Sequence, residues 1–191
     1  MIAGFTPSGA IPEEVIERFA PLVTPDIVAL WRENGTGWLE GGFFRLVDPA
    51  HAAQRLEDAY PLPEGAVVVF TTALADLVVW ARGMFYLMKW RWGVLEGIPH
   101  EGSLEQVLAW MRDPELLDRW FQWEPYPAAA RHDGVPGLDD CFGFVPILAL
   151  GGPNEADHLQ IMDLWVHIAL IHQLAGNLRS AGEFAPPDSV A

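Results

Sequence analysis

The feature that most constrains this chain is a block of four apolar runs between residues 66 and 98, at 66–72, 77–80, 84–90 and 92–98, with Gly83 before the third run and Gly93 at the junction of the third and fourth. Runs of four to eight residues rich in Val, Phe, Trp and Leu have strand length, and glycine between them supplies bends or hairpins. Successive short strands joined by turns favour an antiparallel meander.

Helical signals flank this block on both sides. Residues 12–20 open on Pro12, carry Glu13 and Glu14 at the positive end of a helix dipole, and place Val15, Ile16 and Phe19 on one stripe before Pro21 stops them. Thr24 and Pro25 open a second helix over 26–33, which Asn34-Gly35 ends. Phe43 to Val47 reads as a strand after a crowd of glycines at 35, 37, 41 and 42, and Asp48-Pro49 opens a helix running to about Tyr60. Beyond the block, Ser103 caps a helix with Gln106 at capping-box spacing, and Asp113-Pro114 opens another through Phe121. Residues 122–140, with three prolines and two glycines, read as a loop-like linker. The last helix is expected over 155–178, apolar around most of its circumference and therefore central and buried. The expected class is α+β: an antiparallel mixed sheet flanked by helices, with a long buried C-terminal helix. The linker divides it into an N-terminal subdomain, 1–121, and a C-terminal one, 122–191, packed on it or merged with it in one domain.

Charge narrows function. The chain has 26 acidic and 11 basic residues, a net charge of -15, and Lys89 is its one lysine. Such a surface repels phosphate backbones, which argues against direct nucleic-acid binding, and it attracts basic partners and speeds their encounter. The bland alternative is solubility alone. Cys141 is the one cysteine, so no intrachain disulfide forms, in keeping with a reducing compartment. Residues 1–12 lack the basic start of a signal peptide. The apolar stretch 164–178 is too short, and too interrupted by His167, His172, Gln173 and Asn177, for a membrane span. A cytoplasmic protein without membrane attachment is the expectation.

No constellation carries catalysis. His158, His167 and His172 would share the last helix, but at 100° per residue they point to different sides, so no metal site is expected. His100-Glu101 is an isolated pair and weak evidence for acid–base work. Cys141 sits beside Asp139 and Asp140, which raise a thiol's pKa where a nucleophile needs it lowered, so it reads as a buried structural residue. The Gly-rich stretch 35–42 lacks the lysine of a phosphate loop and reads as tight turns.

Two blocks carry a resemblance. The first is IPEEVIERFAPLVTPDIVALWRENGTGWLEGGFFRLVDP, residues 11–49. The second is DDCFGFVPILALGG, 139–152, followed by DLWVHIALIHQLAG, 163–176. Together they resemble the GAD-like domain family, whose type VI secretion members act as immunity proteins. The resemblance implies a cytoplasmic partner of an antibacterial DNase toxin, inhibiting by binding and needing no cofactor, and it brings no catalytic residue with it. A -15 body competing for a basic DNA groove agrees with that. The expected toxin-binding residues are Asp133, Asp139, Asp140, Glu155 and Asp157, with Trp123 as an aromatic anchor and Glu40 in the other Gly-rich turn. Two rivals remain: a small-molecule module with a pocket lined by Trp38, Trp90 and Trp92, and a hydrolase using His100 and Glu101.

Overall fold

In the computed structural model, which describes residues 2–57, 59–98 and 103–180, the apolar block forms the middle of an eight-stranded sheet. The strands are β1 (Thr6–Gly9), β2 (Thr36–Leu39), β3 (Phe44–Leu46), β4 (Val67–Thr72), β5 (Leu77–Ala81), β6 (Met84–Lys89), β7 (Val94–Gly97) and β10 (Arg179–Ser180). β1 to β7 follow one another in space as an antiparallel series, and β10 adds in parallel to β7, Arg179 opposite Val94. The expected meander is therefore present, and it extends three strands further toward the N-terminus. β8 (Asp140–Phe144) and β9 (Leu159–Asp163) form a separate antiparallel pair, tied to the main sheet by the Phe142 amide donating to the Ala73 carbonyl at 2.7 Å.

Among the described residues seven helices cover the sheet: α1 (Glu13–Phe19), α2 (Pro25–Asn34), α3 (Pro49–Glu57), α4 (Leu104–Trp110), α5 (Pro114–Phe121), α6 (Pro125–Asp133) and α7 (Leu164–Ala175). Side chains alternate across a strand. Along β5, Val78 and Trp80 join one core while Leu77 and Val79 join the other. The first core packs the sheet against Ile16 of α1, Ile27 and Trp31 of α2, Val107 of α4, Phe121 of α5 and Tyr126 of α6. The second packs it against Ala52 and Leu56 of α3 and Leu164, Trp165, Ile168 and Ile171 of α7. With both faces covered, the central strands have no polar side, which is why they read as unbroken apolar runs. Each core draws residues from both sides of position 121.

The class is the expected α+β with a mixed sheet, but two elements differ from the sequence reading. Residues 122–140 are not a loop: α6 occupies most of their first half. Pro125 and Pro127 fall in its first turn, where amides have no intrahelical partner, and Ala128 to Ala130 are strong helix formers. The last helix starts at Leu164, nine residues later than expected. Leu159 to Asp163 pair instead with β8, Asp163 opposite Asp140 and Leu159 opposite Phe144. Asp163 then caps α7, its Oδ1 accepting from the Val166 amide at 2.9 Å.

Charged groups inside the fold lock sheet to helices. Arg91 donates from Nε and Nη2 to Asp76 Oδ2 at 3.0 and 2.8 Å, and from Nη2 and Nη1 to the carbonyls of Phe121 and Gln122 at 2.5 and 3.1 Å. The guanidinium thus neutralises a buried carboxylate and also caps the negative end of α5. Arg45 reaches from β3 to the Asp140 carbonyl at 2.7 Å, and burial draws its pKa down to about 10. Lys89 is buried and pairs with Glu96 at 2.7 Å. Among the described residues, three basic side chains and one carboxylate are thus internal, so more positive than negative charge is withdrawn from the surface.

Candidate functional site

The expected binding residues fall into two groups. The first surrounds α6. Asp133 at its C-terminal end and Asp157 in the helical turn Ala156–His158 line one open cleft of about 580 Å³, with Ala128, Ala129, His132 and Leu159. His132 Nδ1 lies 2.7 Å from Asp133 Oδ1. Glu155 is exposed at the start of the same turn. Trp123 stands just before α6, half-buried, its ring edge-on to Phe43 at 6.3 Å between centroids. Glu40 reaches this neighbourhood through its turn, because Tyr126 Oη donates to the Gly41 carbonyl at 2.7 Å. Glu40 itself has φ 46°, a conformation in which a side chain is strained.

Asp139 and Asp140 go elsewhere. Asp139 Oδ1 accepts from Trp165 Nε1 at 2.7 Å and lies 2.7 Å from His51 Nε2, which joins α7 to α3. Burial pushes the Asp139 carboxyl up, but the hydrogen bonds from Trp165 and His51 and the nearby positive charge outweigh it and hold the pKa below its ordinary value. Arg55 Nη2 binds Asp163 Oδ2 at 2.5 Å at the same junction. Asp140 begins β8, and its carbonyl is held by Arg45. Asp139 thus ties α3 to α7 while remaining exposed, and Asp140 is half-buried. The role of His51 is not legible in the sequence, because its polar surroundings do not point to a partner 88 positions away. Asp76 and Arg91 were also missed, since a buried ion pair leaves no local pattern.

The pocket expected for the small-molecule rival does not assemble. Trp90 belongs to the second core, Trp92 packs on the first, and Trp38 Nε1 donates to the Pro136 carbonyl at 3.3 Å, so the three tryptophans do not line one pocket. An apolar cavity lined by Tyr60, Leu62, Val79, Tyr86, Met88 and Leu95 holds only about 70 Å³. Cys141 is fully buried, and its thiol is pushed up to about 12, first by burial, so the reading of an inert structural cysteine stands. His158, His167 and His172 separate, each in its own surroundings: His158 Nδ1 is 3.1 Å from the Val145 carbonyl, His167 faces Gly143, and His172 stacks edge-on to Tyr60 at 5.2 Å. His100, Glu101 and the tail from 181 onward lie outside the described residues. Among the described residues no helix is long and apolar enough to cross a membrane.

Comparison with known proteins adds two findings. No curated protein matches the sequence. The crystal structure of Atu4351 from Agrobacterium tumefaciens shares the fold, with a TM-score of 0.72 at 13% identity over 89% of this chain and 86% of that one. Residues 102–175, which hold α4 to α7 and the β8–β9 pair, match the family model for T6SS immunity protein Tdi1, C-terminal. That part of the chain is thus similar to the C-terminal domain of a type VI secretion system immunity protein.

Proposed function

We propose that this protein is the immunity partner of a type VI secretion DNase toxin, which it binds in the cytoplasm and neutralises by blocking the DNA-binding or active site, with no catalysis of its own. The observation that carries the reading is the match of residues 102–175 to the immunity-protein model. The charge agrees with it. A nuclease offers a basic groove, and a body of net charge -15, with three of its cations buried, competes for that groove with carboxylates in place of phosphates. The likeness of the 11–49 block to GAD-like domains belongs to the same proposal, as does a division near position 121 into two subdomains.

The cleft beside α6 suits a basic side chain of the toxin. Asp133 and Asp157 face it, with Glu155 and Glu40 on neighbouring turns and part of the Trp123 ring available as an anchor. Asp139, which is exposed, and Asp140 beside it belong to the same proposed binding set. The small-molecule reading is weaker, because Trp38, Trp90 and Trp92 do not line one pocket and the apolar cavity beside Tyr60 holds only about 70 Å³. The test is to mix the purified chain with the toxin encoded beside its gene and follow plasmid cleavage. Cutting should stop near one equivalent, and undiminished cutting at molar excess would defeat the proposal.

A further inference from the structure

The region matched to the immunity-protein model carries a second surface of different chemistry. The inner side of α7 is buried through Leu164, Trp165, His167, Ile168 and Ile171. Its outer side is apolar too: Val166, Leu170 and Leu174 are 55%, 43% and 58% exposed. Spaced by four, they form one stripe along the helix. No Asp, Glu, Lys or Arg occurs anywhere in α7. The helical turn Leu148–Leu150 packs against α7 and adds Leu150, 56% exposed. Of the eight large apolar side chains exposed among the described residues, six lie between positions 145 and 174. Single exposed leucines need no explanation, but an ordered stripe on one helix marks an interaction site.

Size and charge decide what covers it. Pairing two copies through this stripe would bring two -15 chains together. It would also bury only on the order of a few hundred Å² per chain, short of the ~800 Å² of a stable interface. The occupant must therefore carry positive charge and extend past the stripe. The acidic cleft lies within its reach: Leu159 lines the cleft, and β9 leads from there to α7 in five residues, about 17 Å of strand. Stable interfaces have this anatomy, an apolar centre with a polar, charged rim.

We infer that the outer face of α7, Val166, Leu170 and Leu174, is the apolar centre of the toxin interface and takes an apolar ridge of a basic partner, with the α6 cleft at its rim. The inference rests on the immunity reading and adds the surface to it. The charge-neutral pair Leu170→Gln and Leu174→Gln, introduced together, keeps helix-forming residues and the net charge. Titrated with a catalytically dead form of the neighbouring toxin, the double variant should bind about 100-fold more weakly than wild type, mainly through faster dissociation. Wild type that binds while the variant binds within threefold of it would overturn the α7 inference and leave the immunity reading intact. Wild type that does not bind removes the immunity reading itself. A wild-type dimer in light scattering that the variant dissolves would assign the face to a second copy and overturn the inference too. Should the double variant lose its circular dichroism, Leu170→Cys provides an independent readout, because Cys141 is buried. Saturating toxin should shield the new thiol from maleimide, and unchanged labelling would overturn the inference.

Discussion

His167 turns inward from α7 until its ring lies where a side chain on Gly143 would be: a Cβ there would stand 2.8 Å from Cε1 and 2.9 Å from Nε2. The glycine in β8 and the histidine in α7 are therefore one packing decision. Burial lowers the His167 pKa from 6.5 to about 4. The unfolded chain takes up a proton as pH falls below 6.5, and the native ring refuses it until about 4, so the native state loses stability across that window and is unaffected above it. Between pH 7 and pH 4.5 this one group should account for about 2 kcal/mol of lost stability. Urea unfolding at both pH values checks it: His167→Leu should show a drop smaller than wild type by that amount. An equal drop in both proteins would mean that His167 is protonated in the native state.

At the scale of elements, legibility followed how local each cause is. The Asp48 cap was readable because the side chain acts on amides two and three residues on, Oδ1 accepting from Ala50 and His51 at 2.8 and 3.2 Å. Ser103 and Asp113 cap α4 and α5 in the same way. β4 to β7 were readable because their apolar runs are continuous. β1 and β2 were not, since Thr, Pro, Ser and Gly dominate them. Their pairing depends on Gly37, where a Cβ would stand 2.2 Å from the Thr6 carbonyl, a contact that only the fold reveals. The stretch before α7 was misread for a related reason: 159–163 is apolar enough for a helix, and the edge of β8 decides otherwise. The acidic cleft was half legible, because Asp133 and Asp157 stand 24 positions apart in sequence and share a wall only once α6 has formed. The α7 boundary gives a prediction. Asp163→Ala removes the cap and should cost about 1 kcal/mol in thermal or urea unfolding, while Asp163→Asn should retain most of it. The ion pair with Arg55 is partly exposed on both sides and adds little. An Asn variant as unstable as the Ala variant would shift the weight from the cap to that pair.

At the scale of the whole molecule, the distribution of charge matters more than its sum. Arg45, Lys89 and Arg91 are withdrawn into the interior, so the cations that would offset the surface carboxylates are partly spent on the sheet and on the end of α5. The field outside is more negative than the composition suggests, and it acts over about 10 Å at 0.1 M salt. A basic toxin approaching such a body is drawn in before any side chain touches, whereas the apolar stripe on α7 contributes only after contact. The two terms therefore separate in kinetics. Raising sodium chloride from 50 to 500 mM should slow association by about tenfold or more, and dissociation should change by no more than a few-fold. Leu170→Gln with Leu174→Gln should do the reverse, leaving the salt dependence of association intact and speeding release. Stopped-flow association and surface-immobilised dissociation of the same pair read the two separately. An association rate indifferent to salt would mean that the acidic surface serves solubility alone, and the burden of recognition would then rest on α7.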